Sequence, residues 1–257
     1  MKQFQQHLFR CLPVILGAAL MLTAPWAASG VIVTGTRVIY PAEDREVTVK
    51  LDNTSTLPSL VQAWVDDGDM RSVPGKSRVP FILMPPVSRI DPGKGQTLRL
   101  VYTGEPLPQD RESLFWLNVL DVAPQGTAKE AANSLQLAFR TRIKIFFRPK
   151  SLGAEGAVDA TKQLDWALAH SRDGNARTLE ATNRSAYHVT VLDVRIKHDG
   201  RAFQINEGAT IAPGQSHTFH FDAALPDLPH GTHFEYSTIN DYGTDVKSDA
   251  ILGGPTH

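Results

Sequence analysis

Hydrophobic and polar positions alternate with a period of two from residue 31 onward, in short runs broken by turn residues. VIVTGTRVIY (31–40), REVTVKLDN (45–53), SLVQAWVDD (59–67), VPFILM (79–84), GQTLRLVYT (95–103), ESLFWLNVLDV (112–122) and SLQLAFRTRIKIFF (134–147) predict seven strands. PAED, NTSTLP, MPPVSRIDPGKG and EPLPQD separate them, dense in residues whose backbone preferences favour turns. No helical stripe of useful length appears, and the spacing leaves no room for crossover helices. The pattern predicts an antiparallel immunoglobulin-like sandwich rather than a parallel α/β fold.

The first pattern ends at Arg148-Pro149, and the small and polar segment KSLGAEGAVDA reads as a join between domains. A second β pattern follows: LDWALAH (164–170), RTLEATN (177–183), YHVTVLDVRI (187–196), AFQIN (202–206), SHTFHF (216–221) and HFEYSTINDYG (233–243). The expected organisation is therefore all-β, with two sandwiches over 30–149 and 155–247 and a frayed tail over 248–257. No long internal repeat is present.

The N-terminal stretch departs from this pattern. Lys2 and Arg10 precede an apolar run that ends in small residues at Ala27, Ala28 and Ser29, the layout of a secretory signal peptide. The run is short for a membrane span. Cleavage after Ser29 is expected, giving a mature chain from Gly30 with no membrane insertion. Residues 1–29 carry two of the 26 Lys+Arg and none of the 27 Asp+Glu, so the remainder has 24 against 27 and a formal charge of −3. That balance gives no nucleic-acid footprint. The one cysteine, Cys11, lies in the leader, so the mature chain forms no disulfide and must rely on core burial.

Catalytic and metal chemistry finds little support. Seven of the nine histidines lie between 170 and 233. His217 and His220 are three apart in a predicted strand and point to opposite faces, and His230 and His233 flank a turn at the same spacing. No metal site and no cofactor are expected. There is no G-x-S-x-G elbow, H-E-x-x-H pair or phosphate-cradling glycine loop, and DPGKGQT (91–97) reads as a hairpin turn.

The most informative segment is 134–147. Leu135, Leu137, Phe139, Thr141, Ile143, Ile145 and Phe147 share one face, with Arg140, Arg142, Lys144 and Phe146 on the other. The stretch is much longer than the usual five or six residues of a strand, which suggests that its leading half projects past its own sandwich. As the last strand of its domain it would sit near a sheet edge able to accept another chain. Periodicity alone fits equally well with Leu135, Leu137 and Phe139 lining their own core.

Several segments resemble the periplasmic pilus-assembly chaperones of the chaperone-usher pathway. They are LPQDRESLFWLNV (107–119), PPVSRIDPG (85–93), TRIKIFFRP (141–149), NRSAYHVTV (183–191) and INDYG (239–243), in order along nearly the whole mature chain. The resemblance implies two sandwiches joined at an angle around a cleft, no enzymatic activity and a periplasmic location. It implies that pilus subunits are bound by strand donation, an established form of β-strand addition, and passed to an outer-membrane usher. Arg37 and Lys144 match the pair that anchors a subunit's C-terminal carboxylate. Leu135, Leu137 and Phe139 match the donor residues, and Glu112, Arg148 and Asp241 the interdomain charge cluster. The absent cysteine pair and fairly short loop before Leu135 resemble the short-loop branch associated with rod-like pili. An exposed apolar ladder on an edge would also favour self-association of the free protein. The competing class is a structural or adhesive periplasmic sandwich protein such as a pilus subunit, which has one incomplete domain and usually a cysteine pair. A periplasmic hydrolase ranks third.

Overall fold

The computed structural model describes residues 30–124, 137–170, 177–205 and 207–253. Two clusters of buried side chains organise them. Around the first, one layer runs in spatial order β1 (Val31–Val33), β3 (Val47–Asn53), β7 (Gly95–Tyr102), β5 (Phe81–Met84). The facing layer runs β2 (Arg37–Pro41), β9 (Ala138–Arg148), β8 (Ser113–Val122), β4 (Ser59–Asp66), β6 (Val87–Ile90). Inward positions of both layers interleave, and Leu51, Leu98, Leu100, Leu117 and Ile145 have no solvent exposure. Burying each such side chain contributes about 1.5–3 kcal/mol. Tyr40, Phe81, Tyr102 and Phe147 add an aromatic cluster, with the Tyr102 and Phe147 rings 4.6 Å apart.

The second sandwich sets β10 (Leu164–His170), β11 (Arg177–Asn183) and β15 (Ser216–Phe219) against β13 (Arg201–Gln204), β12 (Val189–His198), β16 (His233–Ile239) and β17 (Asp245–Ile251). A short β14 (Ala209–Ile211) also pairs with β12. Trp166 fills the centre, edge-on to Phe234 at 5.3 Å. The fold is all-β with two immunoglobulin-like sandwiches, as the alternation implies.

The structure corrects several sequence expectations. The run 31–40 is two strands in opposite layers: Gly35, at a φ of 92°, lets the chain cross from β1 to β2. PPVSRI is not all turn, because β6 follows the prolines and pairs with β4 at the layer's edge, where a missing N–H is tolerated. Segment 233–243 stops being strand at Ile239, and Asn240–Gly243 turns back into β17. Residues 248–251, read as tail, belong to β17, and Ala250 and Leu252 are buried in the second core. β17 hides in the sequence because Asp245, Lys247 and Asp249 occupy its outer positions, as suits an edge strand. The join contains a seven-residue helix, α1 (Ala154–Ala160), too short to show a stripe. Within segment 134–147, β9 begins at Ala138, and residues 134–136 lie outside the described residues.

Candidate functional site

The side chains that the sequence singles out, Arg37, Lys144, Glu112, Arg148 and Asp241, gather where β2 and β9 meet the second sandwich. β2 runs parallel to β9 with Arg37 opposite Lys144 and Pro41 opposite Arg148. That register brings the two cations side by side on one face. The Arg37 guanidinium donates to the Ile239 carbonyl at 3.0 Å across the domain boundary and lies over the Phe146 ring at 5.4 Å, while its Nε has no partner. Lys144 Nζ donates to Thr210 Oγ1 at 2.6 Å and sits 5.4 Å from the Trp116 ring centroid. Burial lowers the Lys144 ammonium below its ordinary value, and the neighbouring charge of Arg37 lowers it further. Burial likewise lowers Arg37, with Asp241 and Glu112 acting in the opposite direction. Two half-buried cations with unused donors form a site that an anion would relieve.

Glu112, Arg148 and Asp241, far apart in sequence, come together. Arg148 Nε donates to Glu112 Oε1 at 2.8 Å, and its two terminal nitrogens reach Asp241 Oδ2 and Oδ1 at 2.7 and 3.0 Å. The turn after β16 presents Asp241, with Asn240 Oδ1 accepting the backbone N–H groups of Tyr242 and Thr244. Glu112 also crosses the boundary: its Oε2 accepts the His188 backbone N–H at 2.8 Å, and its own N–H donates to the Ala186 carbonyl at 2.9 Å. Burial alone would lower Arg148, but Asp241 and Glu112 outweigh it and raise the group.

The donor candidates divide by position. Leu137 and Phe139 are 54% and 63% exposed, whereas Ile143, Ile145 and Phe147 on the same face are buried. Leu135 lies outside the described residues. Among the described residues no group of three His, Cys, Asp or Glu side chains is placed to hold a metal.

Residues 30–153 match the family described as "Pili and flagellar-assembly chaperone, PapD N-terminal domain", and residues 159–250 match "Pili assembly chaperone PapD, C-terminal domain". The chain belongs to the PapD family of pilus-assembly chaperones. Among relatives, this chaperone is 44% identical over 190 residues to the chaperone protein FimB/FhaD of Bordetella pertussis, covering 72% of this chain and 75% of that one. It resembles the crystal structure of the Pseudomonas aeruginosa CupB2 chaperone with a TM-score of 0.70 at 37% identity, over 86% of this chain and all of that one. The SafB chaperone of Salmonella enterica, solved in complex with the SafA pilin, aligns with a TM-score of 0.68 at 26% identity, over 89% of this chain and 99% of that one.

One feature of the chaperone escaped sequence reasoning. The outer face of β9 carries a ladder in which Arg140 lies over Trp64 at 4.9 Å and Arg142 over Trp116 at 4.4 Å. Asp66, whose side chain has no solvent exposure, binds it from below. Its carboxylate accepts from Ser72 Oγ at 2.6 Å, Asn118 Nδ2 at 2.7 Å, the Gly68 N–H at 2.8 Å and Arg142. Burial would raise Asp66, but the hydrogen bonds from Ser72, Gly68, Asn118 and Arg142 outweigh it and lower the group. The alternation of Arg140, Arg142 and Lys144 was the available signal. The Asp66 carboxylate that Arg140 and Arg142 share, on another strand, left none.

Proposed function

We propose that this chaperone receives pilus subunits in the cleft between its sandwiches, completes their sheet with the leading half of β9 and delivers them to an outer-membrane usher. One observation carries the reading. β2 covers the edge of β9 only from Lys144 to Arg148, and among the described residues no strand pairs with that edge alongside Ala138–Ile143. An incoming strand that continues the line of β2 runs parallel to β9, and its C-terminus ends against Arg37 and Lys144. A terminal carboxylate there gains charge-assisted bonds to a guanidinium and an ammonium. Its neighbours on the strand meet Leu137 and Phe139, with Leu135 extending the apolar ladder.

Apolar burial then supplies most of the affinity, at roughly 1.5–3 kcal/mol per side chain. The carboxylate fixes register, because a one-residue slip reverses every side chain. Glu112, Arg148 and Asp241 hold the angle between the sandwiches and so the shape of the cleft. The pilin complex of the SafB relative supports a subunit as occupant, and the family supports a chaperone rather than an enzyme. A periplasmic location follows if residues 1–29 act as a removed leader. No helix among the described residues is long and apolar enough to cross a membrane.

The test is co-expression with a subunit of the same pilus system. Arg37→Ala and Lys144→Ala should remain folded but lose capture, because a buried carboxylate deprived of one partner costs roughly 3–5 kcal/mol. Co-purification of subunit with either variant at the wild-type level would refute the anchor.

A further inference from the structure

Asp121 presents an unexplained buried charge. It lies near the end of β8 and is 7% exposed. Its Oδ2 accepts the Val31 backbone N–H at 2.9 Å, while Oδ1 is buried without a hydrogen-bond partner. No ion pair among the described residues involves it. An ionised carboxylate in such a place is costly unless a cation or further donors meet it. One amide serves one oxygen and leaves the other empty.

The neighbour at this carboxylate is Gly30. A Cβ added to Gly30 would overlap Asp121 Oδ2 and lie 3.3 Å from its Cγ, so the backbone of residue 30 rests directly on the carboxylate. The Gly30 carbonyl is pinned by the Thr54 backbone N–H at 3.2 Å and the Thr54 hydroxyl at 3.1 Å. The nitrogen of residue 30 is one bond from the Cα that touches the carboxylate. In the sequence, the small residues Ala27, Ala28 and Ser29 come immediately before it.

We propose that hydrolysis of the Ser29–Gly30 peptide bond by a signal peptidase creates an ammonium at Gly30 and that Asp121 captures it as a structural ion pair. The reaction consumes one water, leaves a carboxylate on Ser29 and leaves the Gly30 nitrogen protonated as –NH3+. Before the cut that nitrogen is a neutral amide with one hydrogen. Afterwards it is a cation with three donors, suited to a carboxylate that a single backbone amide leaves only partly satisfied. The Val31 N–H and the Gly30 ammonium then both bind the Asp121 carboxylate, closing the end of the first sandwich where β1 begins. Glycine is required because any side chain would displace the carboxylate. The leader-bearing chain lacks this pair, so the first sandwich reaches full stability only once the leader is gone.

The inference rests on residues 1–29 being a removed leader, which Edman sequencing of the exported protein tests separately by reading Gly30 first. The pairing itself is tested on full-length chains of defined start, one beginning at Gly30 and one retaining Ala27-Ala28-Ser29, each with and without Asp121→Asn. The Gly30 chain should melt roughly 5 °C above the extended one, and Asp121→Asn should abolish that difference. An amine-selective acylating reagent should modify the native Gly30 nitrogen about tenfold more slowly than the same nitrogen in Asp121→Asn, a tenfold protection corresponding to 1.4 kcal/mol. If Asp121→Asn does not fold, acetylating the amine of the Gly30 chain should lower its melting temperature to that of the extended chain. Equal melting of the two starts, a difference that survives Asp121→Asn, or no loss on acetylation overturns the pairing.

Discussion

Replacing Leu137 and Phe139 together by alanine separates a donor strand from an ordinary core strand. In the free chaperone these side chains are 54% and 63% exposed. Truncating exposed residues typically changes stability by about 0.5 kcal/mol or less each, so the double variant should melt within roughly 2–4 °C of the parent. Ile145→Ala, at a position with no exposure on the same strand, should cost about 2–5 kcal/mol through lost burial and a cavity. The order reverses for subunit binding. Full burial of a Leu or Phe side chain contributes about 1.5–3 kcal/mol, and the exposed share of these two leaves about 2–3.5 kcal/mol to be gained from a partner. The double variant should therefore bind subunit about 30- to 300-fold more weakly. Thermal unfolding and titration with a purified subunit on the same preparation give both numbers. A melting loss comparable to that of Ile145→Ala, or unchanged subunit affinity, would refute the donor assignment.

Two further outcomes follow from the buried charges. Arg148→Ala leaves Glu112 buried without its main partner, and should cost about 3–5 kcal/mol, less some allowance for the 25% exposed Asp241; small-angle scattering should broaden while each sandwich keeps its strand signal, and an unchanged profile with normal subunit transfer would count against the proposed role of Glu112, Arg148 and Asp241 in holding the interdomain angle. Asp66 is held below its ordinary value, so its contribution is present above the unfolded aspartate range and lost as pH falls through the folded value. Asp66→Asn should thus lower the melting temperature at pH 7, with the gap from the parent narrowing as pH drops below about 4; a gap independent of pH would mean the charge contributes nothing.

Much of this architecture was legible because β-strands expose their faces through a period of two. The alternation in 134–147 separates Ile143, Ile145 and Phe147, which are buried, from Arg140, Arg142 and Lys144 on the outer face. What stayed hidden depends on partners distant in the chain. Nothing local in VIVTGTRVIY reveals that β1 pairs with β3 and β2 with β9, because both halves alternate alike and only the crossing at Gly35 divides them. β14 has three residues and β17 has charged outer positions, so neither carries a periodic apolar signal. The carboxylate of Asp66 joins Arg142 76 positions away, and only the register of β4, β8 and β9 puts them together.

Register also joins the stability of the first sandwich to the geometry of the proposed site in this chaperone. One strand, β9, places Ile145 in the core, Lys144 opposite Arg37, and Arg148 against Glu112 and Asp241. Successive residues point to opposite faces, so a slip of one would bury Lys144 and expose Ile145. The slip would cost the buried Ile145 and a desolvated ammonium together, several kcal/mol by either account. Parallel pairing with β2 from Lys144 to Arg148 and antiparallel pairing with β8 from Ala138 to Phe147 both oppose it. The packing that makes the first sandwich stable therefore also sets the spacing between the Arg37–Lys144 pair and the exposed Leu137 and Phe139. β9 is a ruler that cannot slide without unfolding the domain.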